Sequence, residues 1–160
     1  MANPTGRRRI LIIHGPNLNL LGNREKDIYG SLTLDQINEK IKKAAARHKA
    51  QVEIFQSNIE GELVEKVQKA YGKFDAIIIN PAAYTHTSIA IRDAILAVGI
   101  PTIEVHLSNV YKREDFRQVS FISDIVEGKI VGLGLNSYLL AIEAVIDLLN
   151  KREKLNPKAL

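Results

Sequence analysis

Polar and titratable side chains gather at the ends of three apolar runs in this sequence. Histidine exchanges protons near neutral pH, arginine stays charged, and asparagine and tyrosine form hydrogen bonds. Side chains of these types transfer protons and recognise anions or hydroxyl groups when a fold brings them together. The first group is His14, Asn17, Arg24 and Tyr29, the second is Asn80, Tyr84 and His86, and the third is Glu104, His106, Ser108, Asn109, Arg113 and Arg117.

The elements that must position these groups alternate between apolar runs and segments of helical periodicity. Uniformly apolar strands that alternate with helices indicate a parallel sheet covered on both faces. We therefore predict one α/β domain with a flavodoxin-like, five-stranded parallel sheet of order 2-1-3-4-5 and helices on both faces. Ligands bind such sheets at the carboxyl ends of the strands, where the three polar groups would meet. The predicted strands are 10–13, 52–55, 75–80, 102–105 and 130–133.

Local signals place the ends of the predicted helices. Thr33 and Gln36 match a capping box, in which each side chain bonds to the backbone of the other residue. Asn58 is expected to cap a second helix, which Gly72 ends, and a third runs from Ser88 to Val98 before Gly99. The last helix is predicted over about 137–150, and residues 106–127 are expected to be mostly irregular, with one helical turn near 113–117.

Composition excludes several classes of protein. Residues 1–8 are expected to be a disordered lead, 9–150 the catalytic domain and 151–160 a basic tail. The net charge of +4 comes from these two tails, so the body shows no basic face for nucleic acid. No apolar run approaches a membrane span, and no membrane partner is expected. The absence of cysteine excludes disulfides and fits a cytoplasmic protein.

Several of the polar residues also have purely structural interpretations. Asn17 follows Pro16 and suits a turn, and Tyr29, beside Gly30, could anchor a loop on the sheet. His86 could bond to a backbone carbonyl at a helix start. Asp93 could pair with Arg92 or lie at an interface. A glutamate at 104, inside an apolar strand, needs hydrogen-bond partners, for which a neighbouring histidine or arginine is the simplest choice.

Other ligand-binding patterns of α/β proteins are missing. The sequence after the first strand, His-Gly-Pro-Asn-Leu-Asn, has neither the glycine pattern of dinucleotide-binding folds nor the Ser/Thr-rich phosphate loop of flavodoxins, and no P-loop occurs. A phosphorelay receiver would need acidic residues where His14 and Asn80 stand. Without cysteine, His-x-His or paired carboxylates, no metal site is predicted.

Eight segments in order resemble type II 3-dehydroquinate dehydratases, over roughly residues 10–148. Position 14 is often Asn in that family, and some members have Gly where this chain has Ala82 and Ala83. The resemblance implies reversible loss of water from 3-dehydroquinate to give 3-dehydroshikimate, a shikimate-pathway step, with no cofactor and no Schiff-base lysine. The segments are G-P-N-L-N-L-L-G (15–22), R-E-x-x-x-Y-G (24–30), Q-S-N-x-E (56–60), N-P-A-A-Y-T-H-T-S (80–88), I-x-x-R-D-A (89–94), I-E-V-H-L-S-N (103–109), R-x-x-F-R (113–117) and I-x-G-x-G-x-x-S-Y (130–138).

The resemblance also assigns roles in an anti elimination that passes through an enolate. Tyr29 is the base, and its pKa must be lowered by Arg24, with Arg117 as the second candidate. His106 is the general acid for the departing hydroxyl. Glu104 lies two residues before it on the same strand face and is expected to hold the imidazole and favour its protonated form. Asn17 is expected to position a water against the enolate oxygen.

The substrate ligands and the assembly are implied by resemblance as well. The backbone N–H groups of Leu107 and Ser108 would bind the carboxylate, and Asp93 would reach the site from a neighbouring subunit. Trimers would pack into a dodecamer. Two alternatives remain, a flavodoxin-like nucleotide- or flavin-binding module and an inactive homologue that serves as a scaffold. The residues expected to hold substrate hydroxyl groups are Asn80, His86 and Arg117.

Overall fold

The computed structural model describes residues 7–22 and 31–155, which form one α/β domain around a parallel sheet. The strand order is β2-β1-β3-β4-β5, and each neighbouring pair is parallel, as the alternation of strands and helices predicted. Strand β2 therefore forms one edge and β5 the other. The strands are β1 (Arg9–His14), β2 (Gln51–Gln56), β3 (Ala76–Asn80), β4 (Thr102–His106) and β5 (Gly128–Val131).

Helices cover both faces of the sheet because successive strand residues point to opposite sides. Ile10 and Ile12 of β1 pack into one core, beneath the first and last helices, whereas Leu11 and Ile13 pack into the other core. The described α-helices are α1 (Leu34–Arg47), α2 (Glu60–Gln68), α3 (Ile89–Val98) and α4 (Leu135–Leu155).

Most of the predicted helix signals are confirmed. Thr33 forms both halves of the capping box with Gln36, the Ser88 side chain caps α3, and Gly99 ends α3 in the left-handed region at φ 62°. Two predictions for α2 are wrong. Ile59, not Asn58, is its N-cap, and the helix ends at Gln68, so Gly72 (φ 68°) lies in the turn that follows.

The C-terminal elements are displaced from their predicted bounds. Strand β5 covers 128–131 rather than 130–133, because its register with β4 begins with Gly128 opposite Ile103. Gly132 then leaves the strand at φ 86°, where a Cβ atom would lie 2.9 Å from Asn109 Cβ. Helix α4 is longer than predicted at both ends, and Arg8 forms an ion pair of 2.6 Å with Glu153 near its end.

The segment between β4 and β5 is irregular, as predicted, with short 3-10 turns at Val110–Lys112 and Asp115–Arg117. None of the helices in residues 7–22 and 31–155 combines the length and the hydropathy that crossing a membrane requires.

Candidate active site

A cavity of about 110 Å³ opens at the carboxyl edge of the sheet, where the sequence predicted the three polar groups to meet. The structure brings Asn17, Asn80, His86, His106 and Arg117 to this cavity. None of the described residues that line it carries a carboxylate, so its charge suits an anionic ligand. The complete lining is Pro16, Asn17, Leu18, Leu21, Asn80, Ala82, Ala83, His86, His106, Leu107, Ser108, Val110, Arg113 and Arg117.

Glu104 and His106 lie on one face of β4, as the two-residue spacing predicted. His106 Nε2 is 2.7 Å from Glu104 Oε1, and both side chains are buried. Because the Glu104 carboxylate accepts a hydrogen bond from Nε2–H, Nδ1 is the ring nitrogen that remains for a ligand. Nδ1 makes no hydrogen bond to any residue in the described part of the chain, and His106 lines the cavity.

Glu104 is fully buried but well supplied with hydrogen-bond donors. Burial raises its pKa, but hydrogen bonds and charge from His106, with the hydroxyl groups of Ser123 and Thr85, outweigh this and lower the pKa to about 2. Ser123 Oγ and Thr85 Oγ1 donate at 2.6 and 2.5 Å, and Ser120 Oγ lies 3.0 Å from Oε2. The carboxylate is therefore ionised and fixed in orientation behind His106.

The donors around Glu104, apart from His106, were not predicted from the sequence. Lys129 is nearly buried on β5, with Nζ 3.7 Å from Glu104 Oε1, and adds a positive charge to this cluster. Only the buried position of Glu104 signalled that partners must exist. Thr85 lies in the segment 80–88, but nothing in the irregular segment that contains Ser120 and Ser123 distinguished these two serines from other surface serines.

Glu104→Gln is expected to lower the free energy of unfolding by about 1–3 kcal/mol at neutral pH, because the amide NH₂ would face donors and leave them unpaired. The native carboxylate has a depressed pKa, so its stabilisation is present above the unfolded-state pKa and is lost as the pH falls toward 2. Urea unfolding of both proteins should show the difference in free energy of unfolding narrow between about pH 5 and pH 2. A difference that is independent of pH would contradict an ionised Glu104.

His86, which follows β3, and Arg117, which lies between β4 and β5, both line the cavity. His86 Nδ1 lies 2.6 Å from the carbonyl oxygen of Val119, so its backbone-bonded interpretation is confirmed. Burial lowers the pKa of His86, whereas the hydrogen bond to the Val119 carbonyl raises it. The nearby His106, Arg117 and Lys129 also lower it, and the net shift is downward. Arg117 Nε donates to Glu114 Oε2 at 2.8 Å.

Asp93 does not lie at this cavity within the chain. It is exposed on α3, and its predicted alternative partner Arg92 instead binds Asp124, with Arg92 NH2 2.9 Å from Asp124 Oδ2. A role for Asp93 in the site of a neighbouring subunit therefore stays a prediction about the oligomer.

Asn17 combines turn chemistry with a place in the site. It adopts φ 66° and ψ −2° before the 3-10 turn Leu18–Leu20, a left-handed conformation that asparagine tolerates better than most residues. Its N–H donates to Asn58 Oδ1 at 2.9 Å, and Gln56 Nε2 donates to the same oxygen at 3.1 Å. Asn58 thus supports the Asn17 loop instead of capping α2.

Asn80 ends β3 and shapes the turn behind the cavity. Its Oδ1 accepts the N–H of Ala82 at 3.2 Å, and its carbonyl oxygen accepts the N–H of Gly15 at 2.7 Å. Position 15 must be glycine, because a Cβ there would lie 2.4 Å from the carbonyl oxygen of Pro81. Ala82 itself has φ 51°, where an alanine is strained.

Ala82→Gly is expected to raise the free energy of unfolding by about 1 kcal/mol, because glycine adopts positive φ without the Cβ clash. Ala83→Gly is the matched control, since Ala83 does not have positive φ and should lose stability instead. Urea unfolding of both variants measures whether the free energy of unfolding increases or decreases in each. Equal destabilisation by both would show that Ala82 is not strained.

His14 was grouped with the carboxyl-edge residues, but it does not line the cavity. It follows Ile10 and Ile12 on the same face of β1 and so points between α1 and α4, where it is fully buried. Asn109 and Tyr84 are also outside the lining. The Asn109 side chain accepts from Tyr111 N at 3.1 Å, and Tyr84 Oη donates to the Asn58 carbonyl at 2.9 Å.

The backbone at Leu107 and Ser108 is available to a ligand. Neither N–H donates a backbone hydrogen bond to the described residues, although both residues line the cavity. Two adjacent N–H groups beside two arginines suit a carboxylate. Arg24 and Tyr29, the remaining predicted site residues, lie outside the described residues.

A larger cleft of about 700 Å³ lies at the opposite, amino edge of the sheet, beside the start of β1 and β2. Its cations include Arg9, Lys66 and Lys69, and carboxylates pair with Lys66 and Lys69. It contains no histidine, so it lacks the proton-transfer group that marks the carboxyl-edge cavity. Across residues 7–22 and 31–155, no cluster of three or more His, Asp or Glu residues is suited to holding a metal ion.

Comparison with known proteins assigns the family. Residues 8–146 match the family described as Dehydroquinase class II. The chain belongs to this family. Among its class II dehydroquinase relatives, the 3-dehydroquinate dehydratase of Acaryochloris marina is 57% identical over 140 residues, which is 88% of this chain and 94% of that protein. The 3-dehydroquinate dehydratase of Geotalea daltonii is 54% identical over 143 residues, 89% of this chain and 99% of that protein.

A solved dehydroquinase structure shows the same fold. The type II dehydroquinase of Butyrivibrio crossotus superposes with a TM-score of 0.84 at 47% identity, covering 90% of this chain and 98% of that one. The resemblance stated from the sequence motifs and the predicted fold class are both confirmed. The family is one of hydro-lyases, so a flavin- or nucleotide-binding module is not needed to explain the fold.

Proposed function

We propose that this chain dehydrates 3-dehydroquinate to 3-dehydroshikimate without a cofactor, in the cytoplasm. The observation that carries the proposal is the His106–Glu104 pair, buried and hydrogen-bonded at 2.7 Å beside a cavity with no carboxylate among its described lining residues. A charged imidazole held this way is suited to protonate a departing hydroxyl, and the surrounding cations suit a substrate that carries a carboxylate. Family membership and the activity named for the relatives support the same reaction.

In the proposed reaction Tyr29, as tyrosinate, removes a proton from the carbon next to the ketone. The electron pair forms an enolate, and Asn17 positions a water against its oxygen. Collapse of the enolate expels the hydroxyl on the neighbouring carbon, and His106 gives it a proton to release water. Arg24 stabilises the tyrosinate, with Arg117 as the second cation. To complete the cycle, Tyr29 releases the proton that it took from the substrate, and His106 takes up a proton, both by exchange with solvent.

Substrate binding uses the remaining predicted residues. The N–H groups of Leu107 and Ser108 hold the carboxylate, and Asn80, His86 and Arg117 hold hydroxyl groups. All five line the cavity, which supports these roles.

The assembly completes the proposal. Asp93 shares the outer face of α3 with Ile89 and Leu96, whose exposed fractions are 50% and 55%. An apolar face that carries one carboxylate suits a subunit interface, from which Asp93 reaches the neighbouring site. We propose trimers that pack into a dodecamer, which light scattering after size exclusion would report as twelve times the 17.8 kDa chain mass.

The activity is tested by adding 3-dehydroquinate to the purified protein and following the ultraviolet absorbance of the conjugated enone product. The expected result is a steady increase in absorbance that persists after borohydride treatment in the presence of substrate, because no Schiff base forms. Folded protein that produces no enone would refute the dehydratase function. Copurification of a bound flavin or nucleotide would instead favour the binding-module alternative.

A further inference from the structure

A second cation reaches the Glu104 carboxylate from the edge strand β5. Lys129 lies directly opposite Glu104 in the register of β5 with β4, so both side chains project from the same face of the sheet. Lys129 Nζ is 3.7 Å from Glu104 Oε1, and the lysine side chain is only 12% exposed. This separation is too long for a hydrogen bond, so the contact is an ion pair, and its burial limits screening by solvent.

The Lys129 ammonium group contacts two groups that attract a positive charge. One is the Glu104 carboxylate, and the other is the ring of Tyr111, whose centroid is 5.7 Å from Nζ. Tyr111 belongs to the 3-10 turn Val110–Lys112 in the segment after β4. Lys129 is therefore a charge held in a defined place, unlike a surface lysine whose ammonium group moves freely in water.

His106 and Lys129 share one carboxylate oxygen, because His106 Nε2 lies 2.7 Å from the same Oε1. A carboxylate paired with an imidazolium alone opposes loss of the proton, since the ion pair disappears with it. With an ammonium group on the same oxygen, the carboxylate charge remains compensated after the proton has left. The two cations also repel each other while the proton is present. Both effects favour release of the proton from His106.

We propose that Lys129 is a positioning residue that shares the Glu104 carboxylate with His106 and makes the imidazolium a better proton donor to the departing hydroxyl. This inference rests on the proposed function, which assigns the role of acid to His106. Lys129 is not among the residues that line the cavity, so it acts through Glu104 and His106 without touching the substrate.

The other titratable and charged groups near the His106 ring come from two segments. His86 lines the cavity from the turn after β3, and Arg113 and Arg117 line it from the segment between β4 and β5. All three remain when Lys129 alone is replaced. A change in the proton affinity of His106 in such a variant therefore reports the charge of Lys129.

Lys129→Met tests the inference, because methionine keeps an unbranched side chain and removes the charge. The alkaline limb of the pH profile of kcat, where the acid loses its proton, should move up by about one pH unit. The plateau value of kcat should fall severalfold, because a weaker acid donates its proton less readily. Lys129→Arg retains the charge and should leave the limb in place.

Lys66→Met is the matched control. Lys66 also pairs with a carboxylate, that of Glu53, and its Nζ lies 5.3 Å from the centroid of the Phe55 ring, but this cluster is at the amino edge of the sheet. Its replacement should leave the limb unchanged. An unmoved limb in Lys129→Met, or an equal movement in Lys66→Met, would overturn the inference. A uniform fall of kcat at every pH would also overturn it, because lost stability alone has that effect.

A second readout needs no substrate. The His106 ring signals, identified by their loss in His106→Asn, should titrate about one pH unit higher in ¹H–¹³C spectra of Lys129→Met than in those of the native protein. An unchanged midpoint would overturn the inference. If Lys129→Met does not fold, Lys129→Gln removes the same charge with a polar side chain and is held to the same two outcomes. If the native protein lacks dehydratase activity, the proposed function fails, but the ring titration still decides whether Lys129 acts on His106.

Discussion

Replacing His106 by asparagine is expected to lower kcat by roughly 10²–10⁴-fold while KM changes little, the range found when a general acid is removed. Asparagine fills similar space, but it cannot donate a proton to the departing hydroxyl. The buried Glu104 carboxylate keeps its bonds to Thr85 and Ser123 in the variant, so the fold should persist. Steady-state kinetics of enone formation and a thermal melt measure the two effects separately.

His48→Asn is the matched control for this prediction. His48 also pairs with a carboxylate, at 2.8 Å from Glu143 Oε1, but it lies at the end of α1, away from the cavity. Its substitution should leave kcat unchanged. A His106→Asn protein that retained kcat within a fewfold of the native value would remove His106 from the role of acid.

Tyr29→Phe is expected to lower kcat even more, to near the limit of detection, while the product still binds. A free tyrosine has a pKa near ~10, so a working base at neutral pH needs roughly 4 kcal/mol of stabilisation of the tyrosinate, which Arg24 and Arg117 are proposed to supply. Phenylalanine keeps the ring but has no oxygen to accept the proton. Calorimetric titration with 3-dehydroshikimate measures binding, and the enone assay measures turnover.

Tyr71→Phe provides the control for this second prediction, since the Tyr71 side chain is 72% exposed and outside the cavity lining. It should retain native turnover. If Tyr29→Phe were also nearly as active as the native protein, the base would have to be another residue, and the role carried over to Tyr29 from the family would not hold for this chain.

The sheet and the location of the site were predictable because both depend on local patterns. Runs such as Ile10–Ile13 and Ile77–Ile79 are apolar without interruption, which fits strands buried on two faces. Once the sheet is parallel, residues at the carboxyl ends of neighbouring strands must share an edge. The parallel order alone therefore predicts that Asn80, His86 and His106 lie together.

The errors arose where tertiary contacts decide between local options. His14 was placed at the edge by its position after β1, but the pleat turns its side chain between two helices that are distant in sequence. Asparagine is a residue type that often caps helices, but Asn58 Oδ1 instead accepts a hydrogen bond from the N–H of Asn17. The start of β5 depends on its register with β4 and on Gly132, neither of which the apolar pattern specifies.

The donors around Glu104 illustrate the same limit. A buried glutamate in an apolar strand requires partners, but the sequence names only His106, two residues away. Ser120 and Ser123 come from an irregular segment that folds back over the strand. Their contact with Glu104 depends on how that segment packs against β4, which local sequence does not specify.

In the proposed mechanism, acid and base are separate residues that act on opposite faces of one substrate. The decisive measurement uses 3-dehydroquinate that carries a single deuterium on C2, either trans or cis to the C1 hydroxyl. Proton NMR of the enone measures how much deuterium remains. Anti elimination should remove the trans label and retain the cis label. Loss of the cis label with retention of the trans label would contradict it.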